Sequence, residues 1–282
     1  LYTAQKQQLP ILLVYCFEPS VMTYADSDVR HWRFVYQSLQ EMQSKLSDLN
    51  AQMYIFHDEA LSIFQKIAEN YHIRTIFSHE EIGNKITFDR DICVQKFCLD
   101  KQINWREFQH NGIIRKDRSR ENWEQLWKQN MRKSPKLVDE QHWNFLLFDD
   151  NLYQTIKGPD LDAEIKIENK NFQPGGESFA WKYIQSFLKE RYVNYSKHIS
   201  KPELSRRGCS RISPYLSYGN ISMRMVYLFT MQHYEAASNK SAISNFVSRL
   251  HWHCHFIQKF EDACSMEFEN VNKAYDALIK PK

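Results

Sequence analysis

Residues 11–17 form an unbroken apolar run of strand length, and the next segment sets Trp32, Val35, Leu39, Met42 and Leu46 at offsets of 3, 4, 3 and 4, one face of a helix. The alternation then recurs. Residues 53–56 predict a strand, Leu61, Phe64, Ile67, Ala68 and Tyr71 a helix face, and residues 74–77 another strand. Ile82, Ile86, Cys93 and Phe97 mark a further helix that starts near Gly83, and residues 103–108 a last strand. Strands alternating with helices over short connections predict an α/β domain with a parallel, Rossmann-like sheet covered on both faces, spanning residues 1–132. Over residues 133–173 the periodicity dissolves into polar and charged positions with a turn signal at 157–160, which reads as a long connector. Beyond Pro174 only helical patterns occur, first Phe179, Tyr183 and Phe187, later Ile243, Phe246, Val247, Leu250 and Cys254. An all-α domain over residues 174–282 is expected, with residues 241–260 as a central helix because Trp252, Phe256 and Phe260 give it a second apolar face.

A chain of 282 residues has room for about two domains at roughly 100–200 residues each. Only 7 glycines and 8 prolines argue against a linker or low-complexity chain. With 37 Lys and Arg against 34 Asp and Glu the net charge is +3, too mild to establish a nucleic-acid partner, so any basic face must be local. The longest apolar run is far shorter than the roughly 20 residues needed to cross a bilayer, and no membrane span is expected. Six cysteines without a Cys-x-x-Cys pair suit reduced thiols in a cytoplasmic protein. The first residue is Leu1 and the last four residues, 279–282, carry no terminal element, so a fragment of a longer protein, cut at both ends, is expected.

Candidate chemistry concentrates in Ser210, Arg211, Ile212, Ser213, Pro214, Tyr215 and Leu216. Ser213 is a preferred N-cap and Pro214 suits the first helical position, so a helix should start here. Two hydroxyls, free backbone N–H groups and the Arg211 guanidinium make a cradle for a phosphate or diphosphate, although a plain capped helix with a surface arginine fits the same residues. Ser222 reads as another cap. His251, His253 and His255 invite a metal reading, but on a helix only His251 and His255 share a face, and two ligands fall short of a structural zinc site, so packing histidines are expected. Asp89, Arg90 and Asp91 read as a solvated face or local ion pair, and residues 115–120 as a solvated basic loop. The chain contains no GxGxxG, Walker A or GxSxG motif.

Taken in order, several segments resemble the DNA photolyase and cryptochrome family. They are Glu81, Ile82 and Gly83; Phe88 to Val94 with Asp89, Arg90 and Asp91; Phe172 to Glu177; Tyr195; Ser210 to Leu216; Tyr218 to Ser222; and Leu250, His251 and Trp252. The serine-proline-tyrosine-leucine run is the most specific of them. The resemblance implies an α/β antenna domain joined by a long linker to a helical domain that holds FAD without covalent attachment, and a light-driven lyase that splits cyclobutane pyrimidine dimers flipped out of damaged DNA. A cryptochrome, a blue-light receptor with the same fold and no repair, is the alternative, and a flavin-free interaction protein a third reading. By resemblance, Tyr195, Cys209, Ser210, Arg211, Ile212 and Ser213 lie around the FAD phosphates and ribityl chain, Trp252 lines the dimer pocket, and Arg249 and His253 flank it. An antenna chromophore of folate or deazaflavin type is implied for the first domain, and the protein is expected to be a monomer. Two departures stand out: Cys209 occupies a position where many members carry threonine, and Arg249 and His253 replace the usual glutamate and arginine around the tryptophan. The resemblance implies that the family's opening strand is to be expected before residue 1, and its flavin-ring half and electron-transfer tryptophans beyond residue 282.

Overall fold

The computed structural model describes residues 1–115, 120–139 and 143–278. Its N-terminal part runs α1 (Tyr2–Gln5), β1 (Leu13–Cys16), α2 (Pro19–Met22), α3 (Val29–Ser47), β2 (Met53–Phe56), α4 (Ala60–Asn70), β3 (Thr75–His79), α5 (Lys85–Asp100), β4 (Asn104–Phe108) and α6 (Trp123–Met131). Strand and helix alternate as the apolar pattern predicts, and both strand pairings are parallel. The expected single sheet is divided, however: β1 pairs with β2 in the register Leu13 to Met53, and β3 with β4 in the register Thr75 to Asn104, as two separate ribbons. Periodicity identifies strands, but it carries no information on which edges meet. The Phe17 N–H donates to the Phe56 carbonyl at 2.7 Å, so odd-numbered peptide groups of β1 face β2. Val14 and Cys16 direct theirs to the opposite edge, which pairs with no described strand.

The helices cover these ribbons by their apolar faces. Helix α3 starts at Asp28, whose side chain accepts the Arg30 N–H at 2.9 Å, and buries Phe34, Val35, Leu39 and Leu46. Met42, read onto the same face, is exposed. Helix α4 works on two sides: Ile63 and Ile67 meet Tyr54 and Phe56, while Leu61, Phe64 and Ala68 pack with Val94, Phe97 and Trp105.

The segment read as a structureless connector carries two helices, α7 (Asp150–Ile156) and α8 (Ala163–Lys166). Its apolar residues are too widely spaced to show a period, yet they pack. Phe145 forms a parallel bridge with Ile11, Phe148 and Ile156 enter the Tyr54 and Phe56 cluster, and Asp149 caps α7 by accepting the Leu152 N–H at 2.8 Å. The turn signal is real as well. Gly158 adopts φ +81°, and a Cβ there would stand 2.1 Å from the His57 carbonyl oxygen.

Beyond Pro174 the chain runs α9 (Glu177–Lys189), α10 (Tyr195–His198), α11 (Pro202–Gly208), α12 (Ser213–Ser217), α13 (Met223–Gln232) and α14 (Lys240–Asp262), with no strand among the described residues. One apolar cluster joins this region to the first, because Phe34, Ile113, Trp123, Trp127 and Met131 pack with Ile184, Phe187, Tyr215, Phe246 and Leu250. A fully buried amide reinforces the junction: Gln258 accepts the Ile114 N–H at 2.8 Å and donates to the Ile114 carbonyl at 2.9 Å. The second apolar face expected for α14 is not covered, since Trp252 and Phe256 are 45% and 57% exposed.

The Asp89 to Asp91 triplet divides its roles. Asp89 pairs with Lys85 one turn away, as a solvated helix face would. Arg90 does more, reaching Glu18 and Glu81 at 2.8 Å each and Asp91 at 2.9 Å. Glu18 also accepts the Ala60 N–H at 3.1 Å, so one guanidinium ties α5 to the end of β1 and the start of α4. Arg90→Met should therefore lower stability by about 3–5 kcal/mol, because it leaves mutually repelling carboxylates largely out of water. Urea unfolding would measure this, and adding Glu18→Gln should recover part of the loss.

Candidate cofactor and ligand site

Arg211 adopts φ +63°, in the left-handed region that side chains other than glycine seldom enter. Its carbonyl is held by the Gln173 side-chain amide at 2.9 Å. On the other side of the turn Arg191 donates to the carbonyl of Cys209 and, at 2.8 Å, to that of Tyr183. This turn alters the expected helix start. Ile212, not Ser213, occupies the cap position: it is buried, already has helical dihedrals, and its carbonyl accepts the Leu216 N–H at 3.1 Å. Ser213 is the first helical residue, exposed, and caps nothing. The left-handed Arg211 carries the buried isoleucine into the helical region one residue early. The expected cap at Ser222 is present, with its side chain accepting the Met225 N–H at 3.1 Å. Because α12 is a five-residue turn, anion attraction here rests on Arg211 and its neighbours and not on a helix terminus.

Arg211, Ser213 and His253 line one cavity of about 720 Å3, together with Arg30, Phe172, Arg206 and Tyr218. No carboxylate lines it. Its size lies within the range of ordinary small-molecule sites, and Phe172 and Tyr218 offer partly exposed rings beside the cations. The other sequence candidates sit elsewhere. Tyr195 is buried edge-on against Phe187 and Phe246, at centroid distances of 5.4 and 5.7 Å, and burial pushes its phenol well above the usual range. Burial also raises the Cys209 thiol, which feels the charges of Arg191 and Arg211. Ser210 is buried. Arg249 lies 5.8 Å over the Trp252 ring on the exposed side of α14, where Trp252 also meets Phe256 at 5.5 Å.

The three histidines of α14 divide as helical geometry predicts. His251 and His255 share a face against Trp123, at 4.9 and 6.0 Å, and His255 contacts Arg120 at 3.0 Å. His253 points away, into a second cavity of about 460 Å3 that it shares with His79, His110, Glu81, Asn111 and Ser217. This cavity lies at the C-terminal ends of β3 and β4, where parallel sheets place their ligands. The His79 and His110 rings stand 5.4 Å apart. Burial, with His79 as a further cause, pushes His110 down to about 4, and burial also lowers His79 and His253. Of the basic loop, residues 116–119 lie outside the described residues, while Arg115 pairs with Glu107 and Arg120 with Asp262, at 3.2 Å each. Among the described residues no group of three His, Cys, Asp or Glu side chains is arranged to hold a metal ion.

Sequence reasoning missed Arg30, Lys170, Arg206 and Arg207. The Arg206-Arg207 doublet shortly before Ser210 was the available signal, but one charged pair on a helix reads as solvated surface until the fold brings partners to it.

Residues 1–129 match the DNA photolyase family model. A deoxyribodipyrimidine photo-lyase from Alkalihalophilus pseudofirmus is 21% identical over 242 residues, covering 79% of this chain and 47% of that protein. These matches support the resemblance to the photolyase and cryptochrome family. Among solved structures, the fold is similar to a class III photolyase from Agrobacterium tumefaciens, with a TM-score of 0.76 at 17% identity, over 98% of this chain and 58% of that one. A cryptochrome from Synechocystis gives 0.74 at 17% identity, over 95% and 59%. An archaeal photolyase from Sulfolobus tokodaii, solved with two FAD molecules, gives 0.67 at 16% identity, over 98% and 59%. The chain spans about half the length of this curated photo-lyase relative. No helix among its described residues is long and apolar enough to cross a membrane.

Two outcomes follow from the geometry. Ser213→Ala should change stability by less than about 0.5 kcal/mol in urea unfolding, because an exposed hydroxyl that caps nothing is removed. His110 is held below its unfolded value of about 6.5, so its contribution to stability is present above that pH and is lost as the pH falls toward about 4. Thermal melts across this window should show the decline, and His110→Asn should flatten it.

Proposed function

We propose that this chain works as part of a light-driven, FAD-dependent deoxyribodipyrimidine photolyase. The observation that carries the reading is the convergence of Arg211, Ser213 and His253 on one carboxylate-free cavity within a chain that resembles this family. These residues fit the proposed cofactor: a diphosphate needs cations and hydroxyl donors, and the flat rings of a dinucleotide need apolar or aromatic walls. When bound, the flavin supplies electron transfer driven by blue light, and the protein supplies position and electrostatics. Arg211 would take the diphosphate, held in place by Gln173 through its carbonyl. Ser213 would add a hydroxyl at the same wall. Trp252 and Arg249 would meet flipped-out bases on the exposed side of α14, the ring stacking and the guanidinium facing phosphate. The histidine-lined cavity at the strand ends is the proposed seat of an antenna chromophore.

A cryptochrome-type photoreceptor is the second reading, and Arg249 favours it. A cation at this position cannot accept hydrogen bonds from a pyrimidine, as a carboxylate can. Illumination with a dimer-containing oligonucleotide in the presence of FAD separates the two: restored thymines support repair, and flavin photoreduction without repair supports the receptor.

The flavin assignment is tested by retention. FAD should bind more tightly than riboflavin, which lacks phosphate, and Arg211→Ala should weaken FAD about tenfold or more while leaving riboflavin unaffected, in line with the loss of one charge-assisted contact. Equal retention of FAD and riboflavin would refute the diphosphate role of Arg211.

A further inference from the structure

Helix α5 begins without a local cap: Asn84 at its cap position makes no side-chain bond to the first turn and donates instead to Asp26 at 2.6 Å. Two carboxylates meet the N–H groups at this end. Glu81 accepts those of Ile82 and Gly83 at 2.9 and 2.6 Å, and Glu267, 182 residues beyond Lys85, accepts the Lys85 N–H at 2.8 Å. The other Glu267 oxygen takes the Tyr24 hydroxyl at 2.5 Å, a bond that raises this phenol to about 12. Glu267 closes a 3-10 turn (Cys264–Glu267) that follows α14. Among the described residues, the other hydrogen bonds and ion pairs of residues 264–278 stay within residues 263–278, and Phe268 to Leu278 are exposed. One carboxylate thus fastens this strap to the α/β part of the chain. Its anchor points adjoin the histidine-lined cavity on two sides: residues 79–83, just before Lys85, form one wall, and His253 and Ile257 of α14 form another. Arg90 fixes Glu81 at 2.8 Å, so Gly83 lies between that anchor and the one at Lys85.

We propose that Glu267 is a latch on the rim of this cavity: joined to Lys85 and Tyr24 it ties the strap after α14 to the start of α5, and its release frees the rim from Gly83 to Lys85 and opens the cavity. A carboxylate suits the task. At a helix start it meets an N–H that has no partner within the helix, together with the positive end of the helix dipole, which favours the closed state. Two surface bonds are also few enough to break in a local opening that leaves the core folded. Because Arg90 keeps Glu81 in place, the motion is confined to the rim and the strap. The latch is defined by the walls of the cavity, so it depends neither on flavin nor on the chromophore assigned to that cavity.

Two readouts on the chain without added cofactor test this. Hydrogen exchange follows the Lys85 amide, with the Asn104 amide, bonded to the Arg74 carbonyl in the β3–β4 ribbon, as control. Modification by diethylpyrocarbonate, scored by mass spectrometry, follows His110 and His253 inside the cavity relative to the exposed His72. Glu267→Ala should speed Lys85 exchange about tenfold or more, in line with the loss of one bond to a charged acceptor, and leave Asn104 unchanged. Modification of His110 and His253 should rise about threefold or more in the same variant, as local opening exposes them. Glu267→Gln keeps one accepting oxygen and should fall between the two. Tyr24→Phe removes a single anchor and should speed Lys85 exchange about threefold, while adding it to Glu267→Ala should change nothing further; this variant also serves if Glu267→Ala fails to fold. Unchanged Lys85 exchange in a folded Glu267→Ala variant would overturn the proposal. So would faster exchange at Lys85 with His110 and His253 no more reactive, because the contact would then be a cap without control of the cavity. Equal acceleration at Lys85 and Asn104 would overturn it too, by showing a general loosening of the fold.

Discussion

The junction between the two halves depends on a backbone that would otherwise be buried without partners. After β4 the chain leaves its ribbon and runs beneath α14, where Ile113 is fully buried and no strand accompanies it. Gln258 substitutes for the missing strand, its amide satisfying both the N–H and the carbonyl of Ile114. Burying a peptide group without such a partner costs free energy comparable to a lost hydrogen bond. The same contact lets the largest apolar cluster run without a break from α3 and α6 into α9, α13 and α14. Both candidate cavities open beside this shared core, which is why their walls mix residues from distant parts of the sequence.

Charge is used in two contrasting ways. Arg90 is surrounded by three carboxylates and serves to hold α5, the end of β1 and the start of α4 together. Arg211, Arg206 and Arg207 lie along an open cleft that no carboxylate lines, so their charge is available to a ligand. A net charge of +3 conceals this, because it sums over the whole chain and carries no information on where cations gather without carboxylates beside them. The left-handed turn at Arg211 belongs to the same arrangement: a strained backbone kept in place by Gln173 and Arg191, at a site where strain is tolerated for position.

Local signals in the sequence determined much of this protein. Apolar periodicity specified the strands β1 to β4 and the helices α3, α4, α5, α9 and α14, since side-chain spacing and secondary structure share a period. The capping residue Ser222, the turn at Gly158 and the opposed directions of His251 and His253 were legible for the same reason, each being set within a few residues. The motif segments carried the resemblance to photolyases and cryptochromes. What required the tertiary structure is whatever depends on contacts remote in sequence. The split of the strands into two ribbons, the packing of Phe148 and Ile156 from a segment without a period, and the exposure of Trp252 on an apolar helix face are of this kind. So is the gathering of Lys170, Arg206, Arg207 and Arg211 into one cleft. A pattern along the chain states which face of each element is apolar, but which faces meet, and which charges are left unpaired when they do, is decided only by packing.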